Sequence, residues 1–258
     1  MPGRGPHRTD GALEPAADAL RGSNGCRVRR YTPVSRRCGC RPGILPLNSR
    51  RVPLILLALY GLVWSACAIR PLYPADWLLE NVLVFVFVPL IAWHGARSPV
   101  SNRAYVALFV FFCLHAVGSH YTYAEVPYDR WWQTLTGASL NELLGFRRNH
   151  YDRLVHFAYG LLVTPIWLEI LRRGVPGLRG IWLWLLPLSF MMSHSMAYEL
   201  VEWAAALTFG GDLGQAYLGT QGDVWDAHWD MFLATLGSAL TLAAIAPASA
   251  RKSAGAHR

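Results

Sequence analysis

The chain has 258 residues, of which 53% are hydrophobic and 16% charged, and it contains eleven Trp. This composition is too apolar and too poor in charge for an ordinary soluble domain, so it predicts an integral membrane protein. The formal charge of +8 does not indicate nucleic-acid binding, because ten of the 24 basic residues lie in the first 50 positions. Five Cys without a regular spacing argue against a disulfide framework.

Residues 1–50 are rich in Arg, Gly and Pro and show no apolar periodicity. Such a segment cannot bury enough apolar surface to fold, so we predict a disordered cytoplasmic tail. Its basic residues would be attracted to anionic lipid, with about 1 kcal/mol for each residue near the surface. An alternative of similar weight is a mis-assigned start, in which case part of this segment is not translated.

Six stretches of the sequence are apolar over at least the roughly 17 residues that a membrane-spanning helix needs. The first stretch also has features of a cleavable signal sequence, but its apolar run is longer than a usual signal core, which favours a retained helix. We therefore predict an all-α integral membrane protein, a six-transmembrane-helix bundle over residues 51–248 with a short basic tail at 249–258. The six spans are expected at 52–69, 77–94, 103–120, 153–171, 180–209 and 230–247.

The distribution of Arg and Lys predicts the orientation of these helices. Nineteen of the 24 basic residues fall in the N-terminal tail, the connections at 95–103 and 172–179, and the C-terminal tail. Basic residues favour the cytoplasmic side of a membrane, so both termini are expected in the cytoplasm. The connections 121–151 and 210–229 then face outward.

Ionisable residues concentrate near the outer ends of the predicted helices. An ionisable side chain inside a bilayer costs a few kcal/mol unless it has a partner or a function. Spacings of three and four residues place the members of one group on the same helical face. Three such groups reach a similar depth, which predicts one shared pocket near the outer surface: Asp152-x-x-x-His156, Glu199-x-x-Glu202 and Asp223-x-x-Asp226-x-x-x-Asp230.

Some of these residues also have a purely structural interpretation. Asp223 and Asp152 could cap helices, and Asp226 could be a first-turn acid that the helix dipole favours. Glu199 and Glu202 are harder to explain in this way, because neither lies near a helix start and no Arg or Lys lies within four residues. They must pair with another helix, bind a cation or keep a proton.

The residue types in the pocket suit a divalent cation, because carboxylates with an imidazole are hard-to-borderline ligands. A bound cation could polarise a phosphate and activate water, with the histidine as acid or base. We assign catalytic roles to His156, Glu199 and Glu202 and predict metal ligands at Glu199, Glu202, Asp226 and Asp230. Further pocket residues are Asp152, Arg153, Asp223, His194 and Tyr198.

Three motifs carry a resemblance to a known family. They are Asn149-His150-Tyr151-Asp152-Arg153-x-x-His156-Phe157, Tyr198-Glu199-x-x-Glu202-Trp203 and Gly219-Thr220-Gln221-Gly222-Asp223-x-Trp225-Asp226-x-x-x-Asp230-Met231. Over roughly residues 50–248 the chain resembles the bacterial six-helix inner-membrane family typified by YjdF. The resemblance implies a multi-pass protein of the bacterial cytoplasmic membrane and leaves its reaction open.

A more distant resemblance is to the VanZ-like membrane proteins, some of which are linked to resistance to glycopeptide antibiotics. The matching positions are Asp152-Arg153-x-x-His156-Phe157, Glu199, Asp226, Asp230 and Gly237. Glu202 departs from that pattern, since a Gln is common at its place.

The sequence leaves three functions open. The first is a metal-assisted enzyme acting on a lipid or envelope precursor at the outer leaflet. The second is a non-catalytic protein that binds a cation or an envelope ligand, and the third is a structural cluster in which each acid is paired with an Arg. The expected partners are membrane lipid and a lipid-linked or envelope small molecule, with no nucleic acid.

Overall fold

The computed structural model describes residues 51–255, except for the side chains at 213, 215–217 and 247–255. The prediction that residues 1–50 are disordered therefore lies outside the described residues. Within the described range the chain is helical and contains no strand. The helices are α1 (Arg51–Cys67), α2 (Pro74–Arg97), α3 (Asn102–His120), α4 (Tyr128–Thr136), α5 (Leu140–Leu144), α6 (Tyr151–Gly174), α7 (Trp182–Phe209), α8 (Gly211–Leu218) and α9 (Asp226–Gly255).

A helix occupies each of the six apolar stretches, and four helices are long and apolar enough to cross a membrane. These four are α2, α3, α6 and the part of α9 up to Ala246. Helix α1 is apolar but shorter, at 17 residues. Helix α7 has 28 residues but carries polar side chains such as His194 and Glu199, and it is not among these four. The all-helical membrane class is thus confirmed with four candidate spans.

The connections 121–151 and 210–229 contain short helices. Connection 121–151 contains α4 and α5, which end at Gly137 and Gly145 with φ of 79° and 70°. Glycine adopts this left-handed conformation without strain and ends a helix there. Ser139 caps α5, because its side chain accepts a hydrogen bond from the Glu142 N–H. Connection 210–229 likewise contains α8.

Helices α6 and α9 approach most closely at two glycines. A Cβ added at Gly160 would overlap the carbonyl oxygen of Ala234, and one added at Gly237 would overlap that of Phe157. The Thr164 hydroxyl donates to Ser238 Oγ at 2.8 Å across the same contact. Because backbone meets backbone there, this contact determines the register of the two helices.

Hydrogen bonds join the segment that precedes α6 to the segment that precedes α9. The Asn149 N–H donates to Gln221 Oε1 at 3.0 Å, and Gln221 Nε2 donates to the Asn149 carbonyl at the same distance. The Asn149 side-chain amide also donates to the Val126 carbonyl at 2.8 Å. These bonds hold the connections 121–151 and 210–229 together at the N-terminal ends of α6 and α9, where the ionisable residues lie.

Candidate functional site

Two arginines and two aspartates form ion pairs where α6 and α9 begin. Arg153 Nη2 lies 2.5 Å from Asp223 Oδ2 and 3.5 Å from Asp226 Oδ1. Arg148 donates to Asp226 Oδ1 and to the carbonyl of Thr220. We call Arg148, Arg153, Asp223 and Asp226 the outer ion-pair layer.

Local backbone structure explains both aspartates of this layer. Asp223 Oδ1 accepts a hydrogen bond from the Trp225 N–H at 2.9 Å, which stabilises the turn that leads into α9. That N–H, together with the hydrogen bond from Arg153, lowers the pKa of Asp223 below its ordinary value. Asp226 lies in the first turn of α9, where the helix dipole favours an acid. Since Arg148 already holds Asp226, its assignment as a metal ligand remains a prediction.

A second group of ionisable side chains lies deeper along the same helices. Asp152, His156 and Asp230 each offer one ligand atom, and these three atoms lie within 4.8 Å of one another. His156 Nε2 is 3.6 Å from Asp152 Oδ1 and 3.9 Å from Glu199 Oε1. We call Asp152, His156, Glu199 and Asp230 the inner cluster. Helices α6, α7 and α9 all contribute to it.

The inner cluster is buried and incompletely hydrogen-bonded. Asp230 is 3% exposed and His156 is 9% exposed. Within the part of the chain that the structure describes, Asp230 Oδ1 and Glu199 Oε1 have no hydrogen-bond partner and neither residue pairs with Arg or Lys within 4.0 Å. A buried unpaired carboxylate is costly, so these oxygens require a proton or a cation.

Tyr198 connects the inner cluster to α2. Its ring meets the His156 ring edge-on at 5.6 Å between centroids, and its hydroxyl donates to Glu80 Oε2 at 3.4 Å. Glu80 is 3% exposed and was not assigned to the site from the sequence. The available signal was an acid near the outer end of an apolar helix with no basic residue within four positions. Glu202 lies close enough to Glu80 and Glu199 to interact electrostatically with both.

The remaining predicted pocket residue, His194, lies elsewhere. Its ring stacks on Trp167 at 5.2 Å and lies 6.2 Å from the Phe190 ring. Helical spacing places His194 four residues before Tyr198, but its ring packs against aromatic side chains and not beside the inner cluster. A surface cavity of about 290 Å³ opens beside the outer ion-pair layer, lined by Thr220, Gly222, Asp223, Val224, Asp226 and Ala227.

Apolar helices with an ionisable cluster at one end of the bundle define a multi-pass membrane protein. The chain belongs to the family described as "Predicted membrane protein (DUF2238)", which matches residues 52–251. It is similar to the inner membrane protein YjdF of Escherichia coli strain K12, with 35% identity over 198 residues that cover 77% of this chain and 88% of that protein. No solved structure matches the chain.

These matches confirm the resemblance to the YjdF family and support a multi-pass protein of the bacterial inner membrane. The more distant resemblance to VanZ-like proteins stays a prediction. The family description names no reaction, substrate or ligand.

Proposed function

We propose that the chain forms a six-helix bundle in the inner membrane, with α1 and α7 crossing beside the four candidate spans and both termini in the cytoplasm. The asymmetry of basic residues supports this orientation. At about 1.5 Å per residue, α7 is also long enough to cross the roughly 30 Å of a bilayer core. In this arrangement the inner cluster lies near the outer leaflet.

We further propose that the inner cluster binds a divalent cation and that the protein is a metal-assisted enzyme acting on a lipid or envelope precursor. The observation that carries this proposal is the separation of at most 4.8 Å between the ligand atoms of Asp152, His156 and Asp230. Metal–oxygen bonds of about 2.3–2.6 Å allow two ligands of one ion to lie up to about 5 Å apart. Glu199 Oε1, at 3.9 Å from His156 Nε2, is near enough to be a fourth ligand or to accept a proton from water.

The neighbouring residues would complete the chemistry. A cation in the inner cluster would supply a Lewis acid for a phosphoryl oxygen. Tyr198 packs against the His156 ring and fixes its orientation. Glu202, which lies near both Glu199 and Glu80, would offer a further carboxyl group to the cation.

A non-catalytic protein that holds a cation or an envelope ligand is the alternative, and the outer ion-pair layer favours it. Arg148, just before α6, pairs with Asp226 at the start of α9. Arg153 on α6 pairs with Asp223, just before α9. A site closed in this way would retain an ion and would admit substrate only slowly. The third possibility, complete Arg–acid pairing, fits Asp223 and Asp226 but does not fit Glu199 or Asp230 in the described structure.

Metal analysis of the purified full-length protein tests the proposal. Wild-type protein should carry about one divalent ion per chain, and Asp230→Asn should weaken binding at least tenfold because it removes a ligand charge. Glu142→Gln is the matched control, since Glu142 is an exposed acid on α5. Equal metal content in all three proteins would contradict the site.

A second assay separates the enzyme from the binding protein. Metal-loaded protein is incubated with an extract of bacterial envelope lipids, and released phosphate and altered lipids are followed by mass spectrometry. New products that disappear in Asp230→Asn support the enzyme. Bound metal without any product supports the alternative.

A further inference from the structure

We propose that α4 and α5 lie along the membrane surface, with one face immersed at the boundary between lipid headgroups and acyl chains. The two helices lie in the leaflet next to the inner cluster. This inference does not depend on the metal site or on any reaction. It concerns where the connection 121–151 sits and what covers its exposed apolar residues.

Helix α4 is amphipathic. At 100° per residue, Trp131, Trp132 and Leu135 fall within an arc of about 100°, while Gln133 points away from its centre. The apolar side chains are exposed, by 44% for Trp131, 40% for Trp132 and 84% for Leu135. A short helix with a Trp- and Leu-bearing face and a polar opposite face is the pattern of a segment that lies in a membrane interface.

Helix α5 extends the same kind of surface. Its Leu143 and Leu144 are 72% and 52% exposed. The two helices are joined through Asp129, which accepts hydrogen bonds from the Ser139 hydroxyl at 3.0 Å and from the Asn141 N–H at 2.9 Å. The apolar side chains of both helices are therefore carried by one hydrogen-bonded unit.

This unit is fixed to the ends of membrane-crossing helices. The Tyr128 hydroxyl donates to Asn141 Oδ1 at 2.7 Å and accepts from the His150 N–H at 3.0 Å, one residue before α6. The Trp131 ring meets the Tyr121 ring, one residue after α3, edge-on at 6.0 Å. These contacts anchor α4 and α5 beside the ends of α3 and α6.

Lipid is the occupant that these features favour. Tryptophan and tyrosine prefer the headgroup level, and a basic residue on the polar side, here Arg130, can reach lipid phosphates. Val224 and Trp225 in the turn before α9 are also exposed, by 85% and 60%. Because the Asn149–Gln221 hydrogen bonds hold the two connections together, one membrane surface would cover both apolar patches at once.

Photocrosslinking in full-length protein tests this placement. The variants Leu135→p-benzoylphenylalanine and Gln133→p-benzoylphenylalanine carry the same probe on opposite faces of α4. They are reconstituted in vesicles of phosphatidylethanolamine and phosphatidylglycerol, irradiated and analysed by mass spectrometry. We expect at least five times more adducts with lipid acyl chains at position 135 than at position 133.

The matched pair Trp132→p-benzoylphenylalanine and Thr134→p-benzoylphenylalanine repeats the comparison if a first variant fails to accumulate. Equal lipid adducts on both faces would overturn the proposal. So would a dominant crosslink between two copies of the chain at position 135. Loss of metal binding with normal lipid adducts would count only against the proposed function.

Discussion

The contact between α6 and α9 consists of two regions with opposite chemistry. At Gly160 and Gly237 the two backbones touch, and the atoms nearest each glycine on the facing helix belong to the backbone. Farther out, one turn before Gly160 and two turns before Gly237, His156 and Asp230 come within 4.8 Å of each other. The difference shows how a site can be assembled in a bilayer: the glycines allow a close approach, and that approach sets the register in which the polar residues meet.

The outer region is itself divided. Asp223, Asp226 and Asp230 follow one another at helical spacing, yet Arg153 and Arg148 bind the first two while Asp230 Oδ1 has no partner among the described residues. Aspartates that follow one another at spacings of three and four therefore have two roles. The paired acids stabilise the ends of the helices, and the unpaired acid is available to a cation.

The largest expected effect is at the glycine contact. Gly160→Leu should destabilise the fold by about 3 kcal/mol or more, because α6 and α9 must separate to admit the side chain. Loss of helical signal on heating in detergent measures this change. Gly61→Leu is the control, since nothing lies within 4 Å of a Cβ at Gly61. Equal melting of the two variants would show that the contact does not hold the helices.

The next effect concerns the outer ion-pair layer. Arg148→Ala should cost about 3 kcal/mol, because it removes the base that donates to the buried carboxylate of Asp226 and leaves only Arg153, at 3.5 Å. The double variant Arg148→Ala with Asp226→Ala should cost less than the sum of the single variants. Arg147→Ala, at an exposed position, should be close to neutral. Additive losses in the double variant would contradict a direct pair.

The sequence predicted much of this architecture because the signals are local. Apolar length located a helix at each of the six stretches, and helical spacing placed Asp152 with His156 on one face. The sequence did not predict α4, α5 or α8, which are short and lie in polar connections. Helices α4 and α5 within 121–151 have no extended apolar periodicity, and they are bounded instead by the glycines at 137 and 145 and by the Ser139 cap.

Pairing between helices was the part that the sequence could not provide. The sequence spacing does not distinguish Asp226 from Asp230. Only the fold shows that Arg148 pairs with Asp226. Glu80 was overlooked because its contact with Tyr198 spans 118 positions in the chain. His194 was grouped with Tyr198 by helical spacing, but the facing Trp167 ring on α6 attracts it by stacking instead.

A smaller effect of opposite sign distinguishes the two roles of the acids. In cation-free protein, Asp230→Asn should leave stability unchanged or raise it by about 1 kcal/mol, because it removes a buried carboxyl group that pairs with no base among the described residues. Asp226→Asn should lower it, because it removes the partner of Arg148. Thermal unfolding with and without chelator measures both. The added stability from divalent cation should be absent in Asp230→Asn, and a destabilised cation-free Asp230→Asn would contradict the division.

The smallest effect is expected at the rim of the outer ion-pair layer. Asp223 is partly exposed, and its pKa is lowered by the Trp225 N–H and by Arg153. A group with a lowered folded-state pKa stabilises the fold above its unfolded pKa, and this contribution is lost as the pH falls through the folded value. Asp223→Asn keeps an acceptor for the Trp225 N–H and loses only the charge.

Asp223→Asn should therefore lower the melting temperature slightly, by less than Asp226→Asn does, and by the same amount at every pH from about 5 to 8. The difference in melting temperature from wild type should disappear only below about pH 4, which is close to the ordinary pKa of an Asp side chain. Melting curves of both proteins in matched buffers measure it. A difference that fades already between pH 5 and pH 7 would mean that Arg153 does not hold Asp223 ionised, and the outer layer would then depend on Arg148 and Asp226 alone.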